Sequence, residues 1–551
     1  MKSKTIKFVT AAICTVFISS SFVGCTDKET TSPNADGNTD SSSAGNTAGT
    51  TETVTYPIKD GGKLTYWTPL DPKVSKTAKN LGETEFAKQL SKETGIQIEW
   101  IHPTQGQEMQ SLNLLIASGD LPDVVDALWG AWYLGGPEKA IQDNVILKTN
   151  DLMAKYAPNY LNILKSDPEK DKEVRTDGGD LYGFSCFRGD DLNTVYTGPL
   201  LRGDWLKELN LELPTTVDEY ENVLKAFKDK KGATAPFTIT KKNPPEVIDR
   251  FFVSGAYGFS TTWYIDDNKK VAYGPLAPKF KDYLNRLNKW YQEGLIDKNF
   301  PTNDGNAVKA NMLNGKSGAS IGFLGGDMGT WMNSMKDKDS KYEIVAAPYP
   351  SLNKGEKVKY VQKDWKFNAF TTAITASCKN PELATMFLDY GYSEKGDMLY
   401  NFGIEGVSYK MVSGYPTYTD TVMKNQNSLS IAEAMAQYQR SPYANGPFVQ
   451  RKEYIEQYYI LPQQKDALKL LAQADPYPNQ YPPASATTEE SQELATIEGD
   501  INTYVSEMTL KFILGTEPLS NFDSFISKLK TMKVDRAIEL RQAAVDRYNK
   551  R

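Results

Sequence analysis

Strand-like and helix-like segments alternate near the start of the folded part of the chain, and this alternation constrains the fold most strongly. Residues 62–69, residues 96–101 and the segment that begins at Asp123 have the β-branched and aromatic composition of strands. Residues 83–94 and 107–118 place apolar side chains at helical spacing, and a glycine follows each segment. Strand, helix, strand, helix, strand at this spacing predicts a parallel sheet in an α/β unit.

The same alternation continues through the rest of the chain. Thr216 and Glu219 have the spacing of a helix capping box, and residues 280–291 carry an aromatic and leucine stripe at helical spacing. Residues 318–324 and 342–347 have strand-like composition. The C-terminal part of the chain is predicted to be mostly helical, so the α/β pattern extends over the whole body.

The length of the chain requires more than one hydrophobic core. It has 551 residues, whereas single cores stop growing at about 250–300 residues, so at least two lobes are expected. Hydrophobic residues make up 40% and charged residues 24%, which fits a globular body and excludes a polytopic membrane protein. The net charge of −6 argues against a nucleic-acid-binding protein.

Several catalytic and metal-binding classes are excluded by residue type and spacing. His102 is the only histidine, so a zinc site built from a histidine pair is impossible. The four cysteines form no CxxC motif, and we interpret Cys186 and Cys378 as free buried thiols. Residues 310–317 lack the first glycine of a phosphate-binding loop, so they are interpreted as a helix that ends at Gly315.

A row of acidic residues needs separate consideration as a cation site. Asp167, Glu169, Asp171 and Glu173 alternate like cation ligands, but Lys172 occupies the position where an EF-hand-type calcium loop has glycine. We therefore interpret these acids as a solvated face and predict neither a metal nor a cofactor.

A glycoside hydrolase needs two carboxyl groups about 5–9.5 Å apart. Nothing in the sequence points to such a pair, although 69 acidic residues leave it possible. A secreted hydrolase or lyase that acts on polysaccharides therefore remains as the alternative function.

The N-terminus has the features of an export signal. Three lysines precede an apolar run over residues 8–18, which is too short for a bilayer span of about 20 residues and predicts a signal peptide at residues 1–24. Gly24 and Cys25 end this segment like a bacterial lipoprotein box, so Cys25 is the predicted lipidation site. The alternative is a plain secreted protein with a chance cysteine. The polar residues that follow, up to residue 53, predict a disordered tether.

The sequence is rich in aromatic residues, with 9 Trp, 31 Tyr and 22 Phe. Flat aromatic faces stack on the apolar C–H faces of sugar rings, and Asp, Asn, Arg and Lys side chains bond the hydroxyls. Aromatic residues also dominate ordinary hydrophobic cores. Trp100 and Trp290 lie on periodic stripes and are assigned to the core.

An ordered set of segments resembles the extracellular solute-binding proteins of carbohydrate ABC transporters. The segment 118–125, then Trp129, Trp132 and residues 135–137, is similar to the long, LplA/YtcQ-like lipoproteins of this family. No single segment is decisive, but the order of the whole set is specific. Further matching segments are 198–220, 287–297, 314–323 and 380–406.

The resemblance implies a type II periplasmic-binding-protein fold. In such a fold two α/β lobes are joined by crossover hinge strands, and here C-terminal helices are added. The first lobe would comprise residues 54–195 plus 370–460, and the second residues 196–369 plus 461–551. The implied function is a monomeric, lipid-anchored receptor at the extracellular face of the cell membrane. It would capture an oligosaccharide in the interlobe cleft and deliver it to the permease subunits, without catalysis, a cofactor or nucleic acid.

The resemblance also implies which residues contact the ligand. Trp263 and Trp365 rank below the main candidates, and the alternative for Arg202 and Asp204 is a structural ion pair at the hinge. The main candidates are Trp67, Trp129 and Trp132 in the first lobe, Asp327 and Trp331 in the second lobe, and Arg202, Asp204 and Trp205 near the crossover.

Overall fold

The structure is a computed structural model, and it describes most of the chain. The predicted signal peptide, the lipidation site Cys25 and the tether lie outside the described residues. Within the part that is described, no helix is both long enough and apolar enough to cross a membrane. The described residues are 54–240, 252–427, 429–442 and 445–551.

The strands follow the predicted pattern. The chain forms β1 (Lys63–Trp67), β2 (Gln97–Ile101), β3 (Val124–Ala127), β4 (Phe184–Arg188), β5 (Thr197–Arg202), β6 (Phe237–Thr238), β7 (Trp263–Ile265), β8 (Val271–Tyr273), β9 (Ala319–Phe323), β10 (Ile344–Ala346), β11 (Phe367–Ile374), β12 (Tyr409–Val412), β13 (Tyr415–Tyr418) and β14 (Val449–Gln450).

Helices connect these strands and dominate the C-terminal part, as predicted. They are α1 (Glu85–Thr94), α2 (Glu108–Ser118), α3 (Trp129–Trp132), α4 (Gly136–Gln142), α5 (Asn150–Tyr156), α6 (Pro158–Ser166), α7 (Pro168–Glu173), α8 (Gly203–Glu208), α9 (Val217–Lys231), α10 (Phe280–Gln292), α11 (Gly305–Leu313), α12 (Thr330–Met335), α13 (Pro381–Tyr390), α14 (Glu394–Phe402), α15 (Asp420–Met423), α16 (Ile431–Met435), α17 (Lys452–Tyr458), α18 (Pro462–Ala472), α19 (Thr488–Leu514), α20 (Phe522–Thr531) and α21 (Val534–Tyr548).

The predicted helix ends are confirmed by their caps. The Thr216 hydroxyl accepts the Glu219 N–H at 3.2 Å, and the Glu219 carboxylate accepts the Thr216 N–H at 3.2 Å, which completes the capping box of α9. Gly95 and Gly515 follow α1 and α19 with φ near 76°. Glycine adopts this left-handed conformation without strain, so it ends both helices.

The first sheet has six strands in the order β14-β4-β11-β3-β1-β2. β1 pairs in parallel with β2 and with β3, which confirms the predicted parallel arrangement of these strands. The sheet is nevertheless mixed, because β11 runs antiparallel between β3 and β4. Sequence periodicity shows that a segment is a strand but does not show in which direction the returning chain enters the sheet.

A second sheet has the strand order β10-β5-β9-β6. It includes the predicted strands at residues 318–324 and 342–347, which form β9 and β10. The two sheets have different hydrophobic cores. Trp100 belongs to the core of the first sheet, whereas Trp290 packs with Phe227 and with Ile501 of α19 in the core of the second, so both assignments to the core are confirmed. The structure therefore has the predicted architecture of two α/β lobes with additional C-terminal helices.

Two crossover segments join the sheets and lie side by side. The first, residues 189–196, leads from β4 to β5, and the second, residues 347–366, leads from β10 to β11. The Gln362 side-chain oxygen accepts the Tyr196 N–H at 3.2 Å, and its amide nitrogen donates to the Thr194 carbonyl at 3.1 Å. These bonds fix the register of one crossover against the other.

Lys363 ties a third segment to the two crossovers. Its ammonium group donates to the Asp191 carboxylate and to the Ala474 carbonyl, both at 3.1 Å, and lies 5.1 Å from the centre of the Tyr477 ring. Lys363 is only 5% exposed. One buried cation therefore holds the two crossovers to each other and to the segment 473–487, which leads from α18 to α19.

Cys186 and Cys378 are both free thiols. Cys186 is buried, as predicted, whereas Cys378 is only half-buried. The prediction of a buried thiol is therefore wrong for Cys378, which follows the end of β11.

We expect Lys363→Met to lower the free energy of unfolding by about 2–3 kcal/mol, because the hydrogen bonds of a buried ammonium group to Asp191 and Ala474 are lost. Urea unfolding followed by tryptophan fluorescence measures the change. Lys357→Met is the matched control, since Lys357 is an exposed lysine of the same crossover. Equal stabilities of the two variants would contradict a structural role for Lys363.

Candidate functional site

A groove of about 520 Å³ opens between the loop that follows β3 and the C-terminal helices. One wall comes from the segment 128–137, together with Tyr182 and with Phe367 of β11 in the first sheet. The other wall comes from residues 481–486 and from α19 and α21, which belong to the core of the second sheet. The groove therefore lies between the lobes, and its volume suits a small-molecule ligand.

The first wall is built at the carboxyl end of β3. In open α/β sheets, ligands bind outside the carboxyl ends of the strands. The loop turns at Gly135, whose φ is 88°. A Cβ atom at Gly135 would lie 2.7 Å from the Lys139 Cβ and 2.8 Å from the Thr488 hydroxyl, so only glycine lets this loop approach α19 so closely.

The opposite wall is organised around Arg541 of α21. Its guanidinium lies 4.7 Å from the centre of the Trp263 ring and 5.2 Å from that of Tyr481. Glu498 of α19 accepts two hydrogen bonds from the same guanidinium, one of them at 2.8 Å. Two aromatic rings from distant parts of the chain are thus held in place by one ion pair.

A smaller recess of about 210 Å³ adjoins the groove and shares Tyr481 with it. The recess is lined by Trp263 and by the polar side chains of Thr262 and Asn479. Trp365 lies beside it, with its indole N–H donating to the Tyr481 carbonyl at 3.1 Å. Aromatic faces next to hydroxyl and amide groups are the combination that a sugar needs.

Glu173 is a buried carboxyl group in the first wall. It is 6% exposed, and its carboxylate accepts the Phe367 N–H at 3.2 Å. Burial, together with the nearby Glu169 and Asp167 charges, raises the pKa of Glu173 to about 7, although the Phe367 hydrogen bond acts in the opposite direction. The prediction of a solvated face is therefore wrong for Glu173, because this end of α7 packs against β11.

Two of the remaining acids of that row are paired within the protein. Asp167 caps α7 by accepting the Lys170 N–H, and Asp171 accepts two hydrogen bonds from Arg175 at 2.7 and 2.8 Å. Glu169 is exposed, as the predicted solvated face requires. Among the described residues, no group of three or more metal-ligating side chains comes together.

The predicted first-lobe tryptophans lie close together, but two of them are internal. Trp67 and Trp129 are 1% and 0% exposed and pack in one apolar cluster with Leu112. The Trp129 indole N–H donates to the Thr371 carbonyl at 3.1 Å. Trp132 is half-buried and meets Phe370 edge to face at 5.8 Å. Contact of these rings with a ligand stays a prediction.

The predicted second-lobe residues lie in another part of the structure. The Asp327 carboxylate accepts the Phe323 N–H at 2.8 Å and so stabilises the turn that follows β9. Trp331 is 1% exposed and packs in a cluster with Tyr342 and Ile455. Neither residue lines the groove, and their ligand-binding role stays a prediction.

Arg202 and Asp204 form a buried ion pair. Two hydrogen bonds of 2.8 and 2.5 Å join the guanidinium to the carboxylate, and the guanidinium stacks between the Trp205 and Tyr342 rings. These residues lie beyond the crossover, at the end of β5 and in α8. The geometry is that of the structural ion pair given as the alternative, and a ligand contact here stays a prediction.

The groove residues themselves were not singled out by the sequence. Tyr133, Tyr182 and Tyr481 are three of 31 tyrosines, and no local motif distinguishes them. The Glu498–Arg541 pair joins two helices that are distant along the chain. Trp263, which ranked below the main candidates, lines the recess.

The family to which the chain belongs follows from a match over most of its length. Residues 74–398 match the family described as bacterial extracellular solute-binding protein. The chain therefore belongs to this family.

Curated relatives extend this similarity. The chain is 26% identical over 533 residues to the fructooligosaccharide ABC transporter substrate-binding protein FusA of Streptococcus pneumoniae, covering 90% of this chain and 92% of the relative. It is 26% identical to the lipoprotein LipO of Bacillus subtilis, covering 64% of this chain and 69% of the relative. The polygalacturonan/rhamnogalacturonan-binding protein YtcQ of the same organism is 28% identical, with 46% and 48% covered.

Solved structures have the same fold. The alginate-binding protein AlgQ2 without calcium ion superposes with a TM-score of 0.71 at 24% identity, covering 90% of this chain and 100% of that one. FusA of S. pneumoniae in complex with fructo-nystose superposes with a TM-score of 0.70 at 24% identity, covering 88% of this chain and 99% of that one. The protein thus has the type II periplasmic-binding-protein fold, as predicted.

We expect the stability of the protein to depend on pH through Glu173. A carboxyl pKa that is raised in the folded state favours folding at low pH, and this advantage is lost as the pH rises from about 4.5 to about 7. The free energy of unfolding of Glu173→Gln, relative to that of the unmodified protein, should therefore increase by about 1.4 kcal/mol per pH unit between about pH 5 and pH 7. Urea unfolding at several pH values measures this difference.

The control for this experiment is Glu212→Gln, since Glu212 is exposed and is not one of the charges named above as raising the pKa of Glu173. Its stability should follow that of the unmodified protein across the pH range. Parallel pH profiles for Glu173→Gln and the unmodified protein would show that Glu173 has an ordinary pKa.

Proposed function

We propose that this protein is the substrate-binding component of an ABC importer, which captures an oligosaccharide in the groove and delivers it to the permease. The aromatic groove between the two lobes is the observation that carries this proposal. Its family is that of extracellular solute-binding proteins, and the relatives FusA and YtcQ are named for saccharides that they bind.

The mechanism follows from the position of the groove. A ligand that contacts both walls binds the closed form better than the open form, so it shifts the population toward closure. The crossovers are the segments about which the lobes would turn. Burial raises the pKa of the Tyr182 hydroxyl, which accepts a hydrogen bond from Thr371 and keeps its own proton to donate to a sugar oxygen. The Tyr481 hydroxyl donates to the Arg541 carbonyl, so Tyr481 offers its ring to the ligand. A micromolar dissociation constant corresponds to about −8.2 kcal/mol, which a few stacked rings and hydrogen bonds supply.

We propose binding without turnover. A glycoside hydrolase needs one carboxyl group that supplies a proton and a second that acts as base or nucleophile. Among the described residues, the carboxyl groups that line the groove are Glu173 and Glu498. Glu498 is held by two hydrogen bonds from Arg541, and Glu173 accepts the Phe367 N–H. Both carboxyl groups thus have internal partners, and the named relatives are binding proteins, which disfavours the hydrolase or lyase alternative.

The proposed location is the extracellular face of the cell membrane, with a monomeric protein held there by lipid on Cys25. The apolar signal that ends at Gly24-Cys25 supports this location, as does the relative LipO, which is named as a lipoprotein. The tether up to residue 53 would let the body reach its ligand away from the membrane. The lobe boundaries, 54–195 plus 370–460 and 196–369 plus 461–551, are part of the same proposal.

We expect the full-length protein in detergent to bind at least one oligosaccharide of a glycan panel, with one ligand per protein and no product. Tyr481→Leu should weaken this affinity about 3- to 10-fold, because a stacking ring is lost. Calorimetric titration measures affinity and stoichiometry, and chromatography of the sugar detects cleavage. Tyr415→Leu is the control, since Tyr415 lies exposed on the β12–β13 hairpin. Release of shorter sugars would favour the hydrolase alternative.

Cys25→Ala should move the protein from the membrane fraction to the soluble extracellular fraction. Two acyl chains on Cys25 would anchor the protein stably, and the variant has no site for them. Cell fractionation and immunoblotting measure the distribution. Cys14→Ala, within the predicted signal peptide, is the matched control and should leave the protein on the membrane. Membrane attachment of the Cys25→Ala variant would contradict the lipid anchor.

A further inference from the structure

The charges around the groove carry information about the ligand. The relatives do not decide between neutral and acidic sugars, since FusA is named for fructo-oligosaccharides and YtcQ for polygalacturonan. Among the described residues that line the groove, the cations are Arg175, Arg541 and Arg551. An acidic sugar needs a guanidinium or ammonium group that is available to its carboxylate.

Each of these arginines is bound to a carboxylate of the protein. Arg175 binds Asp171 through two hydrogen bonds, and Arg541 binds Glu498 in the same way. Arg551 donates to Asp177 at 2.6 and 2.9 Å.

Other contacts of Arg551 involve neutral groups. It donates to the Arg175 carbonyl at 2.6 Å. A sugar carboxylate would have to displace these internal partners, each of which is already held in position.

The balance of charge at the groove is therefore not positive. The three guanidinium charges are cancelled by the three carboxylates that they bind, and Glu173 adds another carboxyl group to the wall. In the adjoining recess, Lys359 is likewise paired with Asp267 at 2.6 Å. The groups that remain for a ligand are aromatic faces, hydroxyls and amides, which suit uncharged sugar rings.

We propose that the groove selects uncharged oligosaccharides and rejects chains of uronic acid or other anionic sugars. This inference rests on the proposed function and specifies its substrate class. Arg541 acts as a positioning residue, because it fixes the Trp263 and Tyr481 rings. All three arginines carry charges that the protein has already paired with carboxylates.

The test is calorimetric titration of the full-length protein in detergent against matched sugars. The panel contains neutral fructo-, gluco-, manno- and xylo-oligosaccharides, oligogalacturonate, and fully methyl-esterified oligogalacturonate. We expect a neutral sugar to bind, with an affinity that changes little between about 50 mM and 500 mM salt, and the acidic chains to bind at least about 100-fold more weakly. Tight binding of oligogalacturonate that weakens with salt would overturn this inference and leave the proposed function intact. Binding of no sugar at all would overturn both.

A variant should reverse the selectivity. Glu498→Gln releases the Arg541 guanidinium into the groove, so affinity for oligogalacturonate should rise at least about tenfold and become salt-dependent. Glu493→Gln is the matched control. Glu493 of α19 accepts two hydrogen bonds from Arg536 of α21, as Glu498 does from Arg541, but neither residue lines the groove.

Asp171→Asn, which releases Arg175, is a second variant with the same expected gain, in case Glu498→Gln does not fold. If the folded variants gain no affinity for the acidic sugar, the internal pairing does not set the selectivity, and the inference is wrong.

Discussion

The groove depends on one constraint: Lys363 and Gln362 hold the two crossovers to each other and to the segment that leads from α18 to α19. Lys363 is a buried cation whose partners lie on the other two segments. Gln362 fixes the register of the crossovers by bonding both sides of the Thr194–Tyr196 stretch. Because the two walls of the groove belong to different lobes, these connections and the C-terminal helices help to set their relative position.

The groove shows how charge and aromatic packing act together. Arg541 is stacked on Trp263 and Tyr481 and is neutralised by Glu498. The ion pair therefore orients two rings without leaving a net charge on the wall. An uncharged, ring-shaped ligand is the natural partner of such a surface, since stacking needs fixed faces and hydroxyls need neutral donors and acceptors.

Much of the fold could be predicted, because local patterns determine local structure. Thr216 and Glu219 define the start of α9, and Gly515 ends α19. The antiparallel entry of β11 could not be predicted, since strand direction depends on where the chain returns. The ligand-binding site was harder to predict from the sequence than the fold. Trp67 and Trp129 are internal, because a large apolar ring after a strand packs equally well in a core.

The sequence by itself determined the family, the α/β alternation, the helix caps and the absence of histidine-based metal chemistry. Each of these depends on residue type or on spacing within a short window. The tertiary structure alone decided that Glu173 is buried, that Arg202 and Asp204 pair beyond the crossover, and that Tyr133 faces a groove with Tyr481. Glu173 is buried against Phe367, the Arg202–Asp204 pair is covered by Tyr342, and Tyr133 lies opposite Tyr481. Each outcome depends on a residue far away in the chain, and such residues meet only in the folded protein.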